Sequence, residues 1–376
     1  MSASSRRPPR VLHFVTGGFS GATQVALDLV RAGQASGRSR PLLALRHKRQ
    51  TDPARIAALR QQGVELTLLP GWSHLATIAA LVRLCRRERP DLLVAHGFPE
   101  HLLGRWAGLL AGVPHLIHVE HNSRERYGRW RLAQARFLAG RTARIVGCSE
   151  GVRQSLLRLG MPAERTVAIS NGIRLEPFEM AEDHPFEQRV PGLVMAARFA
   201  GQKDHATLLH ALALLRQRSQ GALRPPLLLA GGGGERHQRA ARRLAERLGL
   251  LDQVQFLGFH PRVPELLMQY QIAVLSSHYE GMPLSLVEGM AAGCVALGSA
   301  VPGIQELIQD GVTGRLVPHA DPRAMADAIE ALLRDTPAAA ALAAAGRHQA
   351  QTQHSLAQML ANYETMFEDI LCEGMR

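Results

Sequence analysis

Short apolar runs, most of them followed by a stretch of helical periodicity, set the tightest limit on what this chain can fold into. They fall at 11–15, 41–45, 66–69, 92–95, 116–119, 145–148 and 167–169, and resume at 192–196, 226–230, 254–257, 272–275, 295–298 and 315–317. Runs this short and this continuously apolar read as strands buried on both faces, and helices between them demand crossovers, so the sheets should be parallel. The gap between the two series, 175–190, holds Pro177 and Pro185 among mixed charges and reads as a linker. The expectation is an α/β chain of two doubly wound domains, 1–174 and 191–355, with a closing helix in 356–376. A length of 376 residues, 46% of them hydrophobic, supplies two cores of ordinary size.

Several classes are disfavoured at once. No run approaches the length of a membrane-spanning helix, and the apolar stretch at 11–15 is too short for a signal peptide, so a cytoplasmic chain is expected. Cys85, Cys148, Cys294 and Cys372 are scattered without metal-ligand spacing and read as free thiols, buried at Cys148 and Cys294. The 17 histidines form no H-E-x-x-H or similar cluster. Charge is uneven. Residues 1–180 carry 27 basic against 12 acidic groups, and 181–376 carry 17 against 20, giving +15 and −3 within the formal +12. A basic first half implies a large anionic surface, either nucleic acid or anionic lipid. The segment 124–144 concentrates this charge in Arg124, Arg126, Arg129, Arg131, Arg136, Arg141 and Arg144. Tyr127, Trp130, Ala133 and Phe137 recur through it at helical spacing. Such a helix either lies on anionic lipid or faces its apolar stripe into the core.

The densest chemistry lies in Ser276-Ser277-His278-Tyr279-Glu280-Gly281-Met282-Pro283-Leu284-Ser285-Leu286-Val287-Glu288-Gly289-Met290. Glu280 should stand on the loop after the strand 272–275, and Glu288 in the first turn of the next helix. In open parallel sheets that edge binds ligands. Ser285 and Glu288 also spell a capping box, which needs no ligand and leaves Glu280 unexplained. Arg198 and Lys203 follow the strand 192–196, on the corresponding edge, where fixed cations could meet an anion. Gly17, Gly18 and Gly21 follow the first strand and open a helix; they suit an anion or a plain tight turn, and they do not form G-x-G-x-x-G. His121 follows the strand 116–119, His96 ends the strand 92–95, and His118 alternates to the opposite face from Val119 and reads as packing.

The Glu280-to-Met290 segment resembles the Glu-x7-Glu motif of the retaining glycosyltransferases of family 4. The resemblance continues through Ala291-Ala292-Gly293-Cys294-Val295-Ala296, Val301-Pro302-Gly303-Ile304-Gln305-Glu306-Leu307-Ile308 and Asp310-Gly311-Val312-Thr313-Gly314-Arg315-Leu316-Val317-Pro318. It is dense over 192–320, thinner over 90–172 and sparse over 36–90. It implies the GT-B architecture, two Rossmann-like domains with an interdomain cleft, and a final helix crossing back to the first domain. It implies a retaining, metal-independent transfer from a nucleotide-diphosphate sugar to a glycan or lipid-linked acceptor, as in cell-surface polysaccharide synthesis. In that scheme Arg198 and Lys203 hold the diphosphate, Glu288 the ribose and Glu280 the sugar hydroxyls. His121 meets the sugar from the first domain, and Gly281, Met282, Pro283 and Leu284 form the donor loop. Gly232, within Gly231–Gly234, and Leu257 with Gly258 would lie near the nucleotide. At Ser20-Gly21-Ala22-Thr23-Gln24 the chain departs from the family's Gly-Gly-Ala-Glu, which puts acceptor contacts in doubt. No metal cofactor is implied, and the basic first half suggests peripheral attachment to the inner face of the plasma membrane. A nucleotide-sugar epimerase of the same fold and a basic nucleic-acid-binding protein stay open as alternatives, although no recognised nucleic-acid module is present.

Overall fold

The computed structural model describes residues 7–19, 21–49, 51–123 and 127–373. Ser20, Arg124 and Arg126, named above, lie outside them. Two compact units emerge. One holds the chain up to Ser170 and again from Met359, and the other is Asn171–Gln358.

The first unit is built on β1 (Arg10–Thr16), β2 (Arg40–Arg46), β3 (Leu66–Leu69), β4 (Leu92–His96), β5 (His115–Glu120), β6 (Arg144–Gly147) and β7 (Thr166–Ala168). They pair in parallel in the order β3-β2-β1-β4-β5-β6-β7. The second is built on β8 (Val190–Ala196), β9 (Leu227–Ala230), β10 (Val254–Gly258), β11 (Tyr270–Leu275), β12 (Val295–Ser299) and β13 (Arg315–Val317). Their order is β10-β9-β8-β11-β12-β13, again all parallel. Each sheet winds outward in one direction and then restarts beside its first strand. The reversal falls between β1 and β4 in one unit and between β8 and β11 in the other. Loops leaving the carboxyl ends of such neighbours diverge to opposite faces and leave a crevice, the usual ligand position in open α/β sheets.

The segment 175–190 is not a free linker. It is wound into short 3-10 turns with Phe178 and Ala181 buried in the second unit. Arg189, itself buried, donates to the carbonyls of Ala181, His184 and Ala292. The helix Leu356–Glu373 buries Met359, Tyr363, Met366 and Ile370, a spacing of one apolar stripe. From Met359 onward it packs with the first unit, where Arg38 pairs with Glu364 and Arg144 with Glu373.

Close helix–strand packing in the second unit depends on glycine. A Cβ at Gly289, in the helix Leu284–Ala291, would lie 2.3 Å from the Cβ of Ala273 on β11. A Cβ at Gly303 would lie 2.6 Å from the carbonyl oxygen of Gly281 and 2.7 Å from that of Glu280. The helix Pro302–Leu307 therefore rests directly on the backbone that presents Glu280.

Candidate active site

Arg198, Lys203 and Glu280 all emerge at the reversal point of the second sheet. Arg198 and Lys203 follow β8, and Glu280 follows β11. The two loops are joined: His278 N–H donates to Gln202 O at 2.8 Å, Ser276 Oγ to Asp204 O at 2.8 Å, and Gln202 Nε2 to Tyr279 O at 2.8 Å. Asp204 takes a left-handed backbone, φ 44°, and caps the following helix His205–Arg218 by accepting from Thr207 N and Oγ1. A non-glycine residue in that region costs about 1 kcal/mol, offset here by the cap and by the bond from Ser276. The turn aims Lys203 at Glu280, and Nζ meets Oε1 at 2.6 Å, with both side chains largely buried. The sequence reading assigned these residues to different parts of a ligand, whereas here they are partners. Arg198 is exposed and has no ion pair or hydrogen bond among the described residues. One cation is thus neutralised and one is free, so the edge keeps a net positive group for an anion beside a carboxylate that can accept from hydroxyls.

Glu288 needs a correction. Pro283 occupies the N-cap of the helix Leu284–Ala291 and no side chain caps it. Ser285 is already inside the helix and Glu288 lies in its second turn, so no capping box forms. Proline at the cap position starts the helix two residues earlier than the serine would. Glu288 is half-buried, and burial raises its carboxyl to about 7. Gly281, Met282 and Pro283 are buried and Leu284 half-buried, so this loop is packed.

The glycine loops divide between packing and open space. A Cβ at Gly17 would meet Arg46 O at 2.7 Å, and Gly17 N–H bonds to that same oxygen, so Gly17 is needed for strand contact. Gly18 N–H reaches Thr16 Oγ1 at 3.4 Å, and Gly21 has open space around it. In 231–234, Gly231 and Gly233 are the crowded positions, 2.0 Å from Ala197 O and 2.6 Å from Phe199 N. Gly232 has room, with nothing nearer than Phe259 at 3.9 Å. Gly258 adopts φ +65° with open space around it, and its carbonyl accepts from Gly231 N–H; Leu257 is half-buried beside it.

The first unit presents a different arrangement. His13 on β1, His96 at the end of β4 and His121 just past β5 form a stack across the reversal point. His13 Nδ1 lies 3.2 Å from His96 Nε2, and His96 Nδ1 lies 3.4 Å from His121 Nε2. Ring centroids are 5.5 and 5.6 Å apart. Burial lowers His13 to about 3 and His121 to about 4, and pushes His96 well below the ordinary value, so the ladder is neutral. Three neutral imidazoles joined by two hydrogen bonds must all point their protons the same way. His121 Nδ1, which has no partner among the described residues, is therefore a donor or an acceptor according to the tautomer of His13. Sequence reading missed His13, because a histidine inside an apolar strand gives no signal apart from its neighbours.

On the opposite face of β5, His118 is fully buried and stacks on His101. Arg105, also fully buried, donates to His101 Nδ1 at 2.8 Å, and burial pushes it down to about 10. His101 Nε2 lies 2.9 Å from Tyr127 Oη, which in turn donates to Glu120 at 3.4 Å. Ligand atoms of His101, His118 and Glu120 lie within 4.8 Å of one another. Their geometry does not suit a metal. The rings stack with centroids 3.9 Å apart, so their in-plane lone pairs run side by side instead of converging, and Arg105 adds positive charge.

Residues 178–349 match the family model described as glycosyl transferases group 1, and residues 20–172 match the glycosyl transferase 4-like domain. EpsD of Bacillus subtilis (strain 168), a glycosyltransferase by name, is 31% identical over 222 residues; the match spans 57% of this chain and 56% of that relative. The lipopolysaccharide core biosynthesis mannosyltransferase LpsB of Rhizobium meliloti (strain 1021) is 28% identical over 125 residues, 33% of this chain and 36% of the relative. In fold, the chain is similar to Anabaena HepE crystallised with UDP-glucose, with a TM-score of 0.81 at 20% identity over 96% of this chain and 100% of that one. With both sheets parallel, each reversing at the strands that carry the candidate residues, and both family models matched in register with the two units, the chain belongs to the glycosyltransferases of the GT-B fold.

Proposed function

We propose that this glycosyltransferase moves a sugar, with retention of anomeric configuration and without a metal ion, from a nucleoside-diphosphate donor to a glycan or lipid-linked acceptor in cell-surface polysaccharide synthesis. The observation that carries the reading is the presence on one sheet edge of exposed Arg198, without a partner among the described residues, and the buried Lys203–Glu280 ion pair. A leaving diphosphate gains negative charge as the glycosidic bond breaks, and preorganised cations at that point stabilise it in place of a metal. Arg198 offers a planar fork of donors for phosphate oxygens. Lys203 can bridge between phosphate and Glu280, and the carboxylate then accepts from sugar hydroxyls. Glu288 is the proposed acceptor for ribose hydroxyls, with Gly232, Leu257 and Gly258 toward the nucleotide. Contact of His121 with the donor sugar belongs to the same proposal. HepE and LpsB support the donor class and the polysaccharide context by their names.

A membrane location is part of this reading. It is supported by the basic first half and by the described part of the arginine-rich segment, where the core side of the helix Arg129–Ala139 is Ala135, Leu138 and Ala139. The stripe of Trp130, Ala133 and Phe137 expected from spacing faces outward. No helix among the described residues is long and apolar enough to cross a membrane. The test is incubation with a panel of nucleotide sugars, followed by NMR of the released or transferred sugar. An inverted anomeric configuration in the first-formed product would exclude retention, and inertness toward every donor would exclude the reading.

A further inference from the structure

Trp72, Leu75 and Trp130 are 84%, 79% and 77% exposed. An isolated exposed leucine needs no explanation, but two almost bare tryptophans do. Trp72 precedes the helix His74–Glu88, Leu75 lies in its first turn, and Trp130 lies in the first turn of the helix Arg129–Ala139. These helices follow β3 and β5 of one parallel sheet, so both turns stand at its carboxyl edge. They are joined there: Arg46 donates to Gly71 O, beside Trp72, at 3.3 Å and to Glu100 at 3.2 Å, while the Arg131 guanidinium lies 5.3 Å over the ring of Phe98, two residues before Glu100.

The surroundings say what covers them. Arg129 and Arg131 are exposed beside Trp130. Glu100, which is buried, is met by both Arg46 and Lys48, so its charge is compensated. The outward face continues along the helix with exposed Phe137 and with the Arg141 guanidinium 3.9 Å over its ring. A sugar-binding platform would frame its aromatic rings with carboxylate and amide acceptors for the sugar hydroxyls, and arginine has no acceptor. Here the frame is an aliphatic side chain and arginines. Tryptophan and leucine at the tip, with arginines behind, is the composition that settles at the headgroup–acyl boundary of anionic lipid.

We infer that this edge docks on an anionic bilayer, with Trp72, Leu75 and Trp130 entering the interface and Arg129 and Arg131 held at the headgroups. The inference rests on the membrane location proposed above and names the surface that achieves it. The test is flotation of the full chain with phosphatidylcholine vesicles containing phosphatidylglycerol, with Trp72→Ser, Leu75→Ser and Trp130→Ser as variants. Each change is expected to lower the partition about tenfold, and Trp72→Ser/Trp130→Ser together about a hundredfold. Brominated lipid should quench Trp72 and Trp130 and spare Trp106, whose Nε1 donates to Gln134 at 2.9 Å. Absence of flotation at low salt would overturn the inference. So would flotation that the three substitutions do not weaken, or a response of these tryptophans to soluble oligosaccharide but not to vesicles. Nucleotide-sugar hydrolysis without vesicles, read on the same proteins, separates the two claims. A wild type that floats through these residues but hydrolyses no donor would contradict the proposed function and leave the docking surface standing.

Discussion

The two sheet edges hold their candidate residues in opposite ways. The second unit uses ions: Lys203 and Glu280 are buried together at 2.6 Å, with Arg198 unpaired among the described residues. The first unit buries an ion cluster too, Glu100 with Arg46 and Lys48, but its candidate residue His121 stands in a run of neutral rings with His13 and His96, whose charge is suppressed by burial. A buried ion pair is sensitive to removal of either member. A neutral histidine ladder tolerates loss of a charge partner, since it has none, but must fail when its rings are protonated. The difference teaches that a lone candidate residue says little until its partner is known.

The largest effect expected is at the ion pair. Lys203→Ala should cut donor turnover by orders of magnitude and also cost about 3 kcal/mol of stability, because it strands the Glu280 carboxylate. Lys203→Met with Glu280→Gln should recover most of that stability and none of the turnover, as read by urea denaturation alongside donor hydrolysis. Arg198→Ala, with no partner among the described residues to strand, should lose comparable turnover at unchanged stability.

Acid should strike the other edge. A histidine whose folded pKa is depressed contributes stability that is complete above the unfolded value, near 6.5, and is lost as pH falls toward the folded one. The window runs from about 6.5 down to about 4 for His121 and to about 3 for His13. A single buried imidazole depressed this far contributes on the order of 4 kcal/mol across the window. Replacing His13 by Phe, which keeps the stack but cannot be protonated, should flatten the loss of melting temperature below pH 6. An unchanged acid profile would mean that the ladder is not buried as described.

Smaller and opposite in sign is Glu288. Its carboxyl is raised to about 7, so its contribution is complete below the unfolded value near 4.5 and is lost as pH rises through 7. If ribose hydroxyls bond to the ionised form, nucleotide binding near pH 7 should release a fraction of a proton, visible as a buffer-dependent binding enthalpy. Glu288→Gln should abolish the release and weaken nucleotide binding by about 1–2 kcal/mol.

Much of this was legible in the residues, and the reasons differ by element. Every strand run in the sequence corresponds to a strand, because a short apolar run between helical patterns has few other uses in a chain of this size. The helix start at Leu284 was misread because Ser285 and Glu288 carry a capping signature that Pro283 pre-empts. The amphipathic stripe at 127–137 had the right period but no sign of which side faced out; small Ala135 and Ala139 with Leu138 take the core side. Lys203 and Glu280 were both singled out, yet their contact could not be read, since 77 residues separate them and only the reversal of the sheet brings β8 beside β11. His13 carries no local signal at all, being defined by what lies across from it.

The most direct test of the central claim is donor hydrolysis in excess EDTA, comparing wild type with Arg198→Ala. The expected result is hydrolysis by the wild type at the same rate with and without chelator, and a loss of at least a hundredfold in Arg198→Ala at an unchanged melting temperature. A wild type silenced by EDTA and revived by a divalent ion, or an Arg198→Ala enzyme as active as the wild type, would contradict it.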